Sequence, residues 1–502
     1  GTLPDNAVLL SFDDGYETMY NVVFPLLKAY NYPAVFAPVT GWLDTPANQK
    51  IAYADKMLDR SVFATWSQVK EMEQSGLVEI ASHTHNLHNG INANPSGGQL
   101  PSVIAPEYKN GKYETEDAYK NRLKSDFTRT VQTLVNHIGK KPRVMVWPYG
   151  QFNDVSVQIA RQAGMPHYFS LGEKIVNKVG DKHIGRLLLN AETDLNTVKN
   201  YLDGIDESKQ IQRVLHVDLD YVYDADKAQQ AKNLDKLIDR IYRYGVTTVY
   251  LQAFSDPDGD GVADALYFPN KYLPVRDDIF GRIAWQLQTR AGVQVYAWMP
   301  VLAFDLRKGV KEAEYVIDSR TGKTSTKAYL RLSPYNKQNV EIIKSIYNDL
   351  SFYAKFNGIL FHDDAFLTDF EGAEGDHAEG MVSPQAKQKT QDLIQLTHQL
   401  TDALKPYFLR GSYSLKTARN LYASVITNPN AEEWLAQNLK TLTDNYDTTA
   451  IMAMPYMENE QPISQKEAYQ WFASLIENVK AQAPLEKVLF EFQAVNWRTQ
   501  KP

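Results

Sequence analysis

Two neighbouring carboxylates, Asp13 and Asp14, follow an apolar run, Ala7-Val8-Leu9-Leu10, in the stretch SFDDGYETMY from Ser11 to Tyr20. A second chemically loaded stretch, ASHTHNLHNG from Ala81 to Gly90, closes the apolar run Leu77–Ser82. In a parallel sheet the strand C-termini share one edge, which lets Asp13, Asp14 and the histidines converge there. His83 and His88 are close enough in sequence for a short turn to bring both imidazoles to one cation. With one of the aspartates they make a His-His-Asp set that leaves a position open for water, the pattern of catalytic rather than structural metal centres. The other aspartate, beside that water, has the chemistry of a general base. Taken singly, each motif reads as something plainer: FDDG as a strand-ending turn with solvated carboxylates, and loop histidines as surface residues. His85, between the two candidate ligands, is expected at the surface. What lifts the pair is that both motifs, in order, follow a strand.

A third stretch, VMVWPYG from Val144 to Gly150, ends an apolar strand in a sharp turn, with Pro148 and Gly150 leaving backbone exposed at the same sheet edge. Its plain reading is again a turn. Its functional reading makes the backbone N–H of Tyr149 an oxyanion donor and Trp147 a sugar-facing wall.

The elements that must position these residues alternate in type. Ala7–Ser11, Pro33–Pro38, Leu77–Ser82, Arg143–Trp147 and His167–Leu171 read as strands, and Thr18–Tyr30, Trp66–Ser75, Thr115–Ile138 and Asp154–Ala163 as helices. That rhythm is the signature of a parallel α/β sheet. A polar stretch, Tyr201–Lys209, precedes a fresh start at Val214, so a first domain over residues 1–205 and a second over 206–502 are expected. Seven further strands are predicted there: Val214–Asp218, Thr247–Ala253, Val293–Met299, Gly358–Phe361, Leu415–Leu421, Ala450–Met454 and Val488–Phe492. The fold class is α/β, with a (β/α)₈-type barrel for the second domain and one unit unaccounted for. Gly1 running straight into a strand, and the stop at Pro502, lead us to expect barrels truncated at both chain ends.

Composition narrows the function classes. The 502 residues carry 53 basic and 60 acidic side chains, a net charge of −7, which argues against nucleic acid as a partner. Without cysteine there are no disulfides, thiolate metal sites or cysteine nucleophiles. No apolar run approaches the ~18 residues of a membrane span, and the N-terminus shows no signal-peptide pattern. Thirty tyrosines suit carbohydrate stacking and equally suit a large packed core.

SFDDG, SHTxxxH and WPYG, in that order, resemble the first three motifs of the polysaccharide deacetylase (NodB-like, carbohydrate esterase) family, whose fold is a distorted β/α barrel. The resemblance implies metal-dependent removal of acetyl groups from sugars. It makes Asp13 the general base, Asp14, His83 and His88 the ligands of one divalent ion, and Tyr149 the backbone oxyanion donor. Asp and His ligands suit Zn²⁺, Ni²⁺, Co²⁺ or Fe²⁺ alike. One departure stands out: the family's Leu-x-His strand, which carries the general acid, corresponds to GRLLLNAET from Gly185 to Thr193, and that stretch holds no histidine. His183 precedes it, on the wrong side of the strand. Over its whole length the chain resembles the two-domain poly-β-1,6-N-acetyl-D-glucosamine N-deacetylases of biofilm export, through HVDLDYVYD, TVYLQAFSDPDGDG, YAWMPVL, RLSPYN, GILFHDDA, LKTARN and AIMAMPY. In that subfamily the motifs are circularly permuted and the histidine acid lies upstream of FDDG, so it is expected ahead of Gly1. The same resemblance implies a poly-N-acetylglucosamine substrate, an outer-membrane export porin as partner, and a periplasmic location with a lipid anchor on a missing N-terminus.

Barrel strands collect their chemistry at their C-termini. There the second domain offers Asp218, Asp220, Asp256, Asp258, Asp260, Trp298, Asp305, His362, Asp363, Asp364, Tyr456, Glu458, Glu491, Gln493 and Trp497. So many acids and aromatics make an anionic, sugar-stacking groove, and a partly deacetylated glucosamine polymer is cationic. SDPDGDG, Ser255 to Gly261, begins like an EF-hand loop, but Tyr267 stands where that loop needs glutamate, so an Asx-turn loop is expected. Adjacent strand residues point in opposite directions, so one of Asp363 and Asp364 faces sugar. Asp363 is favoured as the glycosidase carboxylate, with Asp218, Asp220 and Glu458 as candidate partners. Its structural alternative is a rim carboxylate paired with Arg331 or Arg419. Two other functions compete with the deacetylase: a carbohydrate-binding export module with a handicapped esterase site, and an endoglycosidase working through the barrel alone.

Overall fold

The computed structural model describes residues 7–172, 176–202, 211–372, 382–410, 414–458 and 463–493. The chain forms two compact units, Gly1–Ile211 with Pro406–Ser414, and Gln212–Lys405 with Leu415–Pro502.

In the first unit three parallel strands, β1 (Leu10–Asp14), β2 (Ala34–Pro38) and β3 (Val78–Ile80), pair side by side. Another three, β4 (Val144–Val146), β5 (His167–Leu171) and β6 (His183–Arg186), do the same. A single parallel bridge at Ser82 and Met145 joins the two sheets, through Ser82 N–H to Val144 O at 3.0 Å and Val146 N–H to Ser82 O at 2.8 Å. β2 is buried on both faces. Ala34 and Phe36 pack outward with Val69, Met72 and Leu134, while Val35 and Ala37 face inward with Ala81, Val144 and Phe169. That two-sided burial explains why its sequence is an unbroken apolar run.

β1 starts three residues later than its apolar run suggests, and Val8 and Leu9 are exposed. Asp13 and Asp14 therefore belong to the strand itself, opposite Ala37 and Pro38. The Val39 N–H makes the last rung, to Asp14 O at 3.2 Å, and Gly15, at φ +104°, then turns the chain with its N–H bonded back to Asp13 O at 2.9 Å, so the strand stops where the two carboxylates stand. The single helix expected over Thr18–Tyr30 is split into a π turn, Met19–Val23, and helix α1, Phe24–Tyr30. Pro25, at the start of α1, interrupts the hydrogen-bond ladder between them. Helix α2 (Trp66–Gln74) begins at a reciprocal Thr65–Gln68 cap, and α3 (Glu116–Ile138) runs from Thr115 to Gly139, whose φ of +76° ends it.

The second unit carries seven parallel strands in sequence order: β7 (Val214–Val217), β8 (Thr248–Gln252), β9 (Gln294–Met299), β10 (Gly358–Phe361), β11 (Lys416–Tyr422), β12 (Thr448–Met452) and β13 (Val488–Glu491). The sheet curls, and Tyr250, Tyr296, Leu360, Ala418 and Ala450, one from each of five successive strands, meet in its concave interior. Gly358 is required there, because a Cβ would lie 2.7 Å from Lys416 O and 2.8 Å from the Tyr296 ring. Long helices, among them α4 (Lys337–Tyr353) and α5 (Pro384–Leu404), connect the strands. No described helix is long and apolar enough to cross a membrane.

A fully buried ion pair, Arg331 Nη2 to Glu371 Oε1 at 2.6 Å, fastens the segment that follows β10. Arg331→Leu would strand the Glu371 charge in the interior. It is expected to destabilise the second unit by about 3–5 kcal/mol, read as a fall in its urea unfolding midpoint.

Candidate functional site

The C-terminal edge of the first unit's sheet gathers the three motifs. Asp14 Oδ1 lies 3.3 Å from His83 Nε2 and 3.2 Å from His88 Nε2. The second oxygen, Oδ2, accepts from the Tyr53 hydroxyl at 2.7 Å. His83 is buried, and its Nδ1 lies 2.7 Å from the Val146 carbonyl oxygen. A carbonyl only accepts, so Nδ1 carries a proton and Nε2 is the nitrogen left facing the Asp14 carboxylate. Burial works against a charge on His83, but Asp14 and Asp13 outweigh it and raise the imidazole above its ordinary range, so with no cation present an Nε2 proton bridges it to Asp14, and a bound cation would take that proton's place. One carboxylate and two imidazoles whose ligand atoms all fall within 4.8 Å of one another are a donor set that fits a divalent cation.

Electrostatics agree with that fit. Burial disfavours the Asp14 charge, but the His83 hydrogen bond and the nearby His83 and His88 outweigh it and hold the carboxyl below its usual range. Burial, reinforced by His83, pushes His88 down to about 4, which leaves its imidazole neutral and able to ligate at neutral pH. The His88 ring sits among Trp42, Tyr53 and Tyr149, with centroids 5.1, 6.1 and 4.6 Å away.

Asp13 makes a two-pronged ion pair with Arg186, Nη1 to Oδ1 at 2.8 Å and Nη2 to Oδ2 at 2.9 Å. The same guanidinium also donates to Ser11 Oγ at 2.8 Å. Arg186 ends β6, so this pair links the last strand of the unit to the first. His183, at the opposite end of β6, lies with its Nε2 2.6 Å from Ser170 Oγ and its ring stacked on Tyr168. Tyr149 has φ +57° and ψ +12°, and its N–H takes no part in the turn bonds, which run from Gly150 to Trp147 and from Gln151 to Pro148. Asp14 and Thr84 share its left-handed backbone, at φ +73° and +71°. Three such residues around one cluster are strain stored at the site.

Two expectations fail here. Trp147 is fully buried against Phe127, Phe152 and Tyr168, because the chain turns only after it; the aromatic ring exposed beside His88 is that of Tyr149. His85 is not at the surface but buried, with Nδ1 2.9 Å from Thr40 Oγ1.

In the second unit the two aspartates after β10 part company. Asp363 accepts from the Tyr329 hydroxyl at 2.9 Å and the Tyr422 hydroxyl at 2.9 Å, and meets His362 Nε2 at 3.0 Å. His362 Nδ1 in turn accepts from the Trp298 indole at 2.8 Å. Burial opposes the Asp363 charge, yet His362 and the two tyrosines hold its carboxyl below the usual range. Asp364, wholly buried, turns the other way and takes the N–H groups of Val301 at 3.0 Å and of Leu302 and Ala303 at 2.6 Å. Its expected sugar contact is thereby replaced by a loop-holding role. Neither candidate arginine pairs with Asp363: Arg331 is taken by Glu371, and Arg419 donates to Tyr446 and to the Ala365 carbonyl.

The other rim residues divide similarly. Asp220 is consumed by Ser255, the Asp256 N–H, Tyr267 and Arg276, so it anchors a loop rather than facing a ligand. Asp256 accepts from the N–H groups of Gly259, Asp260 and Gly261, which is the turn expected of SDPDGDG, while Asp258 and Asp260 are exposed. Asp305 pairs with Arg307. Glu491 is buried between His216 and Asn420, each at 2.8 Å. Asp218 accepts from the Asp220 N–H, and burial beside that second aspartate pushes it up to about 6. Tyr456 is half-buried, and Trp497 lies outside the described residues.

The family profile described as polysaccharide deacetylase matches residues 1–168, and one described as hypothetical glycosyl hydrolase family 13 matches residues 216–502. Over 519 aligned residues the chain is 40% identical to the poly-β-1,6-N-acetyl-D-glucosamine N-deacetylase of Escherichia coli K12, covering 99% of this chain and 76% of that protein. The chain belongs to this N-deacetylase family. A protein of the same name from Staphylococcus aureus is 28% identical over 208 residues, 41% of this chain and 62% of its own. The solved PgaB (BpsB) glycoside hydrolase domain of Bordetella bronchiseptica is 40% identical, with a TM-score of 0.53 over 58% of this chain and 87% of that domain.

Against the family's motifs, sequence reasoning missed Arg186, Tyr53, Tyr329 and Tyr422. Arg186 alone left a signal, since it stands in the stretch searched for a histidine. Glu458 carries a further consequence. Burial pushes its carboxyl up to about 7, against an ordinary 4.5, although the Ala423 N–H favours the charge. A folded pKa above the unfolded one gives stability that is full below pH ~4.5 and is lost as pH rises through ~7. Glu458→Gln is expected to flatten that loss, of order 3 kcal/mol, in urea titrations of both proteins at about pH 4.5 and about pH 7.5.

Proposed function

We propose that this chain hydrolyses N-acetyl groups of poly-β-1,6-N-acetyl-D-glucosamine in its first unit, and that its second unit binds the partly deacetylated polymer and cleaves it. The observation that carries the first half is Asp14 Oδ1 set between His83 Nε2 and His88 Nε2, with Asp13 adjacent and held by Arg186. Asp14, His83 and His88 would hold one divalent ion. When bound, such an ion supplies Lewis-acid polarisation of the amide carbonyl and of the attacking water.

The chain's own residues supply the rest. Asp13, fixed by two bonds from Arg186, takes the proton of the attacking water. The Tyr149 N–H, turned outward by its left-handed backbone, donates to the carbonyl oxygen as charge builds there. The Tyr149 ring, 44% exposed, offers a face to the sugar in the place expected of Trp147. Gly150 makes this turn attainable: at φ +68°, any Cβ would lie 2.5 Å from Leu171 N.

In the second unit Asp363 is the carboxylate proposed to act on the glycosidic bond, with Glu458 and Asp218, both shifted toward the neutral acid, as proton donors. A binding-only barrel is the second reading. It is favoured by Asp363 itself, whose oxygens already meet Tyr329, Tyr422 and His362. The working location proposed is the periplasm, beside an outer-membrane export porin, and it rests on family resemblance alone.

Metal analysis by mass spectrometry after mild chelation and re-addition is expected to find about one ion per wild-type chain. Asp14→Ala and His83→Ala should hold none and release no acetate from a short N-acetylglucosamine oligomer. Metal bound equally by all three proteins would remove the assignment. Asp13→Asn should keep its metal and lose roughly 10²–10⁴-fold in acetate release. Asp363→Asn should release acetate as wild type does while no longer shortening a deacetylated polymer. If wild type does not shorten it either, the binding-only barrel is correct.

A further inference from the structure

The loop between the two candidate ligands is held from outside by groups that the proposed chemistry does not use. Asp126, on α3 and buried, accepts the His85 N–H on Oδ1 at 2.8 Å and the Asn86 N–H on Oδ2 at 2.7 Å. Those two peptides lie midway between His83 and His88. One turn along α3, Thr130 Oγ1 meets Ser82 Oγ at 3.1 Å and Thr40 Oγ1 at 3.2 Å. From the other side, the Thr40 N–H donates to Thr84 O at 3.1 Å and the Gly41 N–H to His85 O at 2.9 Å. Gly41 permits this approach, because a Cβ there would overlap Asn86 Oδ1 and His85 O. Thr84 sits in the left-handed region at φ +71°, a conformation that needs such support.

We propose that Asp126 is the positioning residue of the candidate metal centre: from α3 it grips the two peptide N–H groups between His83 and His88 and so sets the spacing of the ligands. This rests on the metal reading given above. The chemistry requires a carboxylate. Two N–H donors converge on two different oxygens, and an asparagine could serve one of them while turning its own NH₂ against the other. Asp126 bonds the His85 and Asn86 peptides rather than the His83 or His88 ring, so its effect passes through the backbone.

Zinc alone, titrated against a chromophoric chelator into the metal-free full-length chain, tests this. Asp126→Asn is expected to weaken zinc binding roughly 10–100-fold, the effect of removing a group that orients a ligand, measured well below the melting temperature of either protein. A merely structural role would lower the melting temperature and leave the zinc affinity of the folded chain unchanged, and that result overturns the proposal. Should Asp126→Asn fail to fold, Asp126→Glu, which keeps the charge but displaces the oxygens, is expected to fold and to bind zinc more weakly. Wild-type affinity in that variant overturns the proposal equally. A wild-type chain that takes up no zinc, nickel, cobalt or iron brings down the metal reading itself, and the positioning role with it.

Discussion

The Arg186–Asp13 ion pair is the contact on which the first unit's candidate site depends. β6 and β1 stand at opposite ends of the strand order and share no backbone pairing among the described residues, yet Arg186 reaches Asp13 and Ser11 together. A carboxylate held by two parallel N–H bonds has a fixed plane and a fixed place. Asp14, its neighbour, is received instead by the two histidines and Tyr53. Adjacent in sequence, the two carboxylates thus meet different partners, Asp13 a guanidinium and Asp14 two imidazoles and a phenol, with the Asp14 backbone turned to φ +73°.

The same device recurs after β10, with a different outcome. Asp363 faces a cage of Tyr329, Tyr422 and His362, while Asp364 faces the backbone of Val301–Ala303. In the first unit both members of the acidic pair meet side chains of the candidate site; in the second, Asp363 meets side chains and Asp364 holds the loop after β9. Pairs of aspartates at strand ends are therefore not equivalent signals. What decides between them is whether the second carboxylate meets imidazoles or unpaired peptide N–H groups.

Much of this was legible in the sequence, for a physical reason. A parallel strand buried on both faces must be an apolar run, and where it stops a charged residue can appear, so the edge carrying Asp13, Asp14, His83, His88 and Tyr149 could be read directly. The start of β1 could not, because Val8 and Leu9 are apolar without being buried. Trp147 was misplaced since a tryptophan before a proline turn looks like an exposed wall, whereas its packing against Phe127 is set by a helix distant in sequence. Tyr329 and Tyr422 were invisible for the same cause, since no period or spacing joins them to Asp363, and the Arg186 pairing with Asp13 was hidden likewise although its stretch was in view.

The bridge at Ser82 and Met145 is one residue from His83, in the candidate metal cluster. Two peptide hydrogen bonds cross it, and the next contact along is His83 Nδ1 with the Val146 carbonyl, which belongs to the opposite sheet. The imidazole that faces Asp14 on one side is, on its other side, a stitch in the seam between the two half-sheets. The orientation of His83 is thus tied to the join between the two half-sheets, which three hydrogen bonds make here.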